Sequence, residues 1–150
     1  MMKLLIPVAA AAAVGLALHP SAARADFSAC ASAYASNDPQ KQIELYTTCL
    51  KHGGLMASDV AGAFTNRGVA YEHLGEGDKA LADFSSAIQY DPGWPLPYAN
   101  RAGLEAGRGQ CAEARADIDR ALKYAPHRRE FEAEKARIED RCPMSSTPPH

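Results

Sequence analysis

The chain has 150 residues, 47% of them hydrophobic, and a formal charge of −2 from 16 basic and 18 acidic residues. That balance lacks the basic stripe a nucleic-acid surface requires, and mild acidity speaks to solubility rather than to a partner. The length suffices for one domain and little more.

Lys3 supplies a positive start, and Leu4 to Leu18 is an apolar run interrupted only by Pro7 and Gly15. Ala23-Arg24-Ala25 follows with the small-x-small pattern of a secretory cleavage site, so residues 1–25 read as a signal peptide cut after Ala25. The apolar core of about 15 residues is shorter than the roughly 20 that span a bilayer, so no membrane span is expected in the mature chain. That chain, Asp26 to His150, loses Lys3 and Arg24 and keeps 14 basic against 18 acidic residues, a formal charge of −4. It is expected to be exported, to the periplasm.

Phe27 to Ala35 predicts a short helix that ends before Asn37-Asp38-Pro39, and Ile43, Tyr46, Cys49 and Leu50 share one face of the next. Between Ala61 and Leu74, apolar or small residues fall at 61, 64, 68, 71 and 74, a helical spacing. Gly75-Glu76-Gly77-Asp78 breaks that helix, and Asp78 is placed to cap the following one, which presents Ala80, Leu81, Phe84, Ala87 and Ile88 on one side. Asp91-Pro92-Gly93 stops it, because proline lacks the N–H a continuing helix needs. The arrangement then recurs: a helix from Leu96 to Gly107, a turn at Arg108-Gly109-Gln110, and a partner from Cys111 to Tyr124 closed by Ala125-Pro126. Arg128 to Arg141 is a charged helix with Phe131, Lys135, Ile138 and Cys142 on one face, suited to capping a stack. Pro143 to His150 is Pro- and Ser-rich without periodicity and reads as a disordered tail.

The recurrence has a fixed, gap-free offset of 34 residues. Phe64, Asn66, Arg67 and Gly68 return as Tyr98, Asn100, Arg101 and Ala102. Gly75, Ala80, Asp83, Phe84, Ala87, Ile88, Tyr90 and Pro92 return as Gly109, Ala114, Asp117, Ile118, Ala121, Leu122, Tyr124 and Pro126. A period of this length marks a stacked helical repeat. Upstream, Ile43, Tyr46, Cys49 and Leu50 match Leu81, Phe84, Ala87 and Ile88 at an offset of 38, so residues 27–56 read as a degenerate first unit whose extra four residues fall in the Gly53-Gly54-Leu55-Met56 loop.

These residues resemble the tetratricopeptide repeat family. Its aromatic, Gly, Tyr, Ala, Phe, Ala and Pro positions fall on Phe64, Gly68, Tyr71, Ala80, Phe84, Ala87 and Pro92. The second copy fits at Tyr98, Ala102, Ala114, Ile118, Ala121 and Pro126, whereas Glu105 stands where the family has tyrosine, which implies looser packing there. The resemblance implies an all-α solenoid of about three helix pairs plus a C-terminal capping helix, with units at 27–56, 61–94 and 95–128 and the cap at 128–142, the whole domain covering 26–142. It also implies a concave groove lined by the first helix of each pair. The groove candidates are Thr65, Asn66, Val69, Glu72, His73, Leu96, Ala99, Asn100 and Gly103. Some family members clamp a peptide's terminal carboxylate with lysines, an arginine and asparagines. Here only the two asparagines stand at such positions, beside Thr65, Val69, Ala99 and Gly103, so that activity does not carry over.

An asparagine amide can grip an extended peptide backbone or bond a neighbouring helix, and both readings stand for Asn66 and Asn100. Arg67 and Arg101 are expected to form interhelical salt bridges with Glu72, Glu105 or an acid of the second helix. Trp94 and Pro95 read as a packing wedge between repeats.

Cys30, Cys49, Cys111 and Cys142 are an even set in an exported chain, which favours two disulfides. Cys30 and Cys49 are equidistant from the first interhelical turn, and Cys111 and Cys142 from the turn before the cap, so the pairs Cys30–Cys49 and Cys111–Cys142 are expected. His52, His73 and His127 are scattered without metal-ligand spacing. Asp117 with Asp119, and Glu132 with Glu134, read as solvated helix faces rather than catalytic pairs. No nucleophile motif, phosphate loop or cofactor site is expected, and Gly75-Glu76-Gly77 is a helix break.

The expected function is therefore non-enzymatic: an exported scaffold binding an unidentified protein or peptide in its groove, with no nucleic-acid partner. The alternative is a structural or envelope-assembly component acting through its outer surface or by self-association.

Overall fold

The architecture comes from a computed structural model that describes residues 21–52 and 54–143. The expected signal core and nearly all of the expected tail lie outside these residues. Seven helices follow one another: α1 (Ser21–Ala35), α2 (Pro39–His52), α3 (Ala57–His73), α4 (Gly77–Tyr90), α5 (Pro95–Gly107), α6 (Cys111–Tyr124) and α7 (Arg129–Arg141). Pairs α1/α2, α3/α4 and α5/α6 are hairpins, and each hairpin packs on the next through α2 on α3 and α4 on α5. The last helix, α7, packs on both α5 and α6. This is a helical-hairpin solenoid of three pairs and a cap, in which α1, α3, α5 and α7 form one layer.

Small residues set the helix spacing. Ala61, Ala70, Ala80, Ala87, Ala102, Ala114 and Ala121 are fully buried, so paired backbones approach closely around a few large side chains. A Cβ built on Gly68 would lie 2.7 Å from the Phe84 ring, closer than carbon atoms pack. In the second copy the larger Ala102 replaces glycine and the slimmer Ile118 replaces phenylalanine, and both are buried. The two exchanges are complementary and conserve volume. Gly75 and Gly109 close equivalent turns with φ of +74° and +76°, a region that costs a side chain about 1 kcal/mol or more.

Helix boundaries depart from expectation at three places. The first helix is already formed at Ser21, where the described residues begin, rather than from Phe27, and alanine-rich Ser21 to Ala25 suits it; the expected cleavage point lies within it. The third starts at Ala57 rather than Ala61, with Asp59 in its first turn. Asp78 caps nothing: Glu76 takes the N-cap position without a side-chain bond, and Asp78 instead accepts a 2.6 Å bond from Arg108.

Cys30 is bonded to Cys49, with Cα atoms 5.4 Å apart, and Cys111 to Cys142, with Cα atoms 5.5 Å apart. The first bond ties α1 to α2. The second ties the start of α6 to the end of the cap, where Arg115 also donates to the Cys142 carbonyl.

Candidate functional site

The inner layer carries two hollows. The first, of about 420 Å³, is lined by residues including Tyr34 of α1, Tyr46 of α2, Leu55 of the connecting loop, Asp59, Gly62 and Asn66 of α3, and Trp94 at the N-cap of α5. The second, of about 220 Å³, lies between α5 and α7 and includes Leu96, Ala99, Asn100, Phe131, Glu134 and Arg137.

The groove candidates divide between these surroundings. Asn66 lines the first hollow together with the Tyr46 phenol of the preceding hairpin. Burial raises the Tyr46 pKa, and the neighbouring Asn66 side chain works against the rise. Leu96, Ala99 and Asn100 line the second hollow. Gly103 is covered by the cap, since a Cβ there would lie 2.8 Å from Glu134 Oε1. Val69 is half-buried, and Glu72 and His73 are exposed towards the C-terminal end of α3. Although the residue as a whole is exposed, partial desolvation of its carboxylate, and then the nearby Glu134 charge, raise the Glu72 pKa against the pull of His73.

Thr65 is a correction. It is fully buried, and its hydroxyl donates 2.9 Å to the Ala61 carbonyl of its own helix, so it belongs to the interior rather than the groove floor. Trp94 is a second correction: it is half-buried and lines the first hollow, with one side left towards the groove instead of wedged wholly between repeats.

Arg67 and Arg101 do form interhelical pairs, and the pairs are with second-helix acids. Arg67 donates to both Asp83 oxygens at 2.7 and 2.8 Å, and to Thr47 Oγ at 3.0 Å. Arg101 donates to both Asp117 oxygens at 2.5 and 3.0 Å, and to Ser85 Oγ at 2.9 Å. Each arginine thus joins three helices, α2–α3–α4 and then α4–α5–α6. The carboxylate bond raises each guanidinium's pKa above its ordinary value despite burial. Asp117 is accordingly buried, not the solvated residue expected from charge pattern, while Asp119 is exposed and accepts 2.7 Å from Lys135. Glu134 pairs with Arg137 at 2.8 Å, and Glu132 is exposed.

Sequence reasoning missed Tyr34, Tyr46, Leu55 and Asp59 as lining residues. The signal for Tyr46 was present in its match to Phe84, which marks a side chain aimed inward. Tyr34 gave none, since it is 80% exposed and outside any repeat pattern. Among the described residues no three His, Cys, Asp or Glu side chains gather as a metal cage, and no helix is long and apolar enough to cross a membrane.

Residues 61–93, which form α3, α4 and the turn after them, match the family model of the tetratricopeptide repeat. Over these residues the chain is similar to a tetratricopeptide repeat. Human Tetratricopeptide repeat protein 6 is 31% identical over 75 residues, half of this chain, and the chain spans 14% of that relative's length. Solved tetratricopeptide repeat domains share the whole architecture. The second TPR domain of human RPAP3, in complex with the HSP70 peptide SGPTIEEVD, is 23% identical with a TM-score of 0.66, covering 79% of this chain and 95% of that one. The Arabidopsis OM64 TPR domain is 23% identical with a TM-score of 0.70, covering 79% and 98%. The TPR2B domain in the pHsp70 complex of yeast Sti1 is 20% identical with a TM-score of 0.67, covering 79% and 97%. The fold is that of a tetratricopeptide repeat solenoid, three hairpins and a capping helix.

Proposed function

We propose that this chain is an exported, non-enzymatic interaction module that holds an extended segment of another protein along its groove. The observation that carries the reading is the pair of hollows on the inner layer, floored by Gly62, Ala63 and Ala99 and walled by Tyr34, Trp94, Leu96 and Phe131. Small residues let a ligand backbone approach, and apolar walls with a few convergent polar groups are the usual chemistry of a binding site. The RPAP3 and Sti1 domains of similar fold hold HSP70 peptides, which supports peptide binding as the use of this groove. The two disulfides and the sequence of residues 1–25 support export, with residence in the periplasm.

Crosslinking pull-down from native envelope extract tests the reading. The parent chain is compared with an Asn66→Ala/Asn100→Ala double variant whose thermal unfolding has been checked. A partner captured by the parent and weakened about tenfold or more in the folded variant is the expected result, as for loss of polar anchors at a desolvated site. A partner held equally by both places the interface on the outer helices and removes the groove from consideration.

A further inference from the structure

We propose that the hollow between α1, α3 and the start of α5 seats a basic side chain, lysine or arginine, of the segment held in the groove. The inference rests on the groove reading and narrows it.

The lining carries one charged side chain, and it is negative. Three aromatic residues, Tyr34, Tyr46 and Trp94, share the hollow with the Asp59 carboxylate and Asn66, and no lysine or arginine is among the lining residues. Aromatic faces attract cations, tryptophan most strongly. The Asn66 carbonyl oxygen beside them accepts hydrogen bonds. Asp59 also only accepts. Guanidinium and ammonium groups are donors without acceptors, so they match these oxygens, whereas a carboxylate would meet the Asp59 charge and the negative ring faces.

The N-terminus of α3 lies beside this hollow and by itself would favour an anion. Its effect equals roughly half a positive charge, and Asp59, in that helix's first turn, carries a full negative one. The balance at the mouth is therefore negative. A volume of about 420 Å³ accommodates a long side chain whose methylene stem lies on Leu55 and the rings while the charged head meets Asp59, the ordinary division of lysine and arginine between apolar and polar surroundings.

Trp94 is the only tryptophan in the chain, so its emission reports on this hollow alone. The full chain is titrated at low salt with acetyl-Gly-Arg-Gly-amide and its Lys, Leu and Glu counterparts, and with the acidic peptide SGPTIEEVD. The expected result is a saturable change with the Arg and Lys peptides that is absent with the others and weakened about tenfold in Asp59→Asn, the scale of a lost partly desolvated cation site. Tyr34→Ala is the second variant. Tyr34 is 80% exposed, so its truncation spares the fold while removing one ring, and it too should weaken the response. Equal response to the Leu or Glu peptide, or an Arg response unchanged in both folded variants, overturns the basic seat. The groove reading has its own readout: a native partner still lost from the Asn66→Ala/Asn100→Ala variant keeps the groove while the seat falls.

Discussion

Glu105 shows how one residue can carry a pH dependence that its repeat partner lacks. In the first copy Tyr71 holds this position, with the Lys79 ammonium 5.2 Å from its ring. In the second copy both members change: glutamate replaces tyrosine, and Glu113 stands at the place of Lys79. Arg101 is 3.8 Å from the Glu105 carboxylate, but its fork is committed to Asp117. Glu105 Oε2 is buried with no hydrogen-bond partner among the described residues. Burial, followed by the Asp117 charge, raises the Glu105 pKa to about 7 from 4.5, Arg101 notwithstanding. A carboxyl that binds its proton more tightly when folded destabilises the fold once ionised. The penalty is fully present above pH 7, falls as pH drops through 7, and is gone below the unfolded value of 4.5. Glu105→Gln should therefore raise stability at pH 8 by about 1–2 kcal/mol, a figure reduced for solvent screening at a partly exposed group. The gain should vanish near pH 4.5. Urea unfolding of both proteins at the two pH values measures it, and a gain independent of pH would reject the ionisation argument.

At the scale of elements, α1 is the wall least supported by its neighbours. It packs on α2, Ala33 is its one fully buried side chain among residues 28–35, and the Cys30–Cys49 bond fixes it across a sequence separation of 19. A loop of that length contributes about 3 kcal/mol through the unfolded state. A Cys30→Ser/Cys49→Ser variant should lose about that much in stability, with α1 amides exchanging hydrogen before those of α3 to α6. Uniform loss of protection through every hairpin would contradict this account. The elements were largely legible in the sequence, and the reason is register. A side chain repeated at 34 residues packs the same way twice, so Phe84 and Ile118, or Ala87 and Ala121, announce a core without coordinates. The site was less legible because groove residues follow no packing rule. Thr65 sits at a groove position by family pattern, yet α3 turns it inward, where its hydroxyl is satisfied by its own helix. Asp78 had the residue type and place of a cap, but the helix began two residues earlier, with Glu76 at the N-cap. The first hollow draws on four separate elements and the loop before α3, a juxtaposition that no local spacing encodes.

For the whole molecule, the arginine rungs explain how hairpins with little apolar bulk stay in one register. Thr47–Arg67–Asp83 and Ser85–Arg101–Asp117 each bridge three successive helices. Asp83 is buried and the Arg67 side chain only 16% exposed, so deleting one partner leaves a charge in a poor solvent. Arg67→Ala should cost about 3 kcal/mol in urea unfolding, at the low end for a broken buried pair. A cost below about 1 kcal/mol, as for a surface pair, would show that the rung is solvated and does not hold the hairpins together.

The same series continues once more and then stops. Counting another 34 residues from Arg101 reaches Lys135, and from Ser85 reaches Asp119, and these two are bonded at 2.7 Å. The forward acid has no counterpart, since no helix follows α7 among the described residues. At this last step the neutral hydroxyl has become a carboxylate, so the cation that lacks a forward partner is neutralised from behind and rests at the surface. Stacking a second copy end to end on this face would strip water from the Lys135–Asp119 pair and from neighbouring Glu139, a desolvation cost that can exceed the attraction between the charges. The outer face of α7 is therefore expected to stay solvated rather than to seat a second copy.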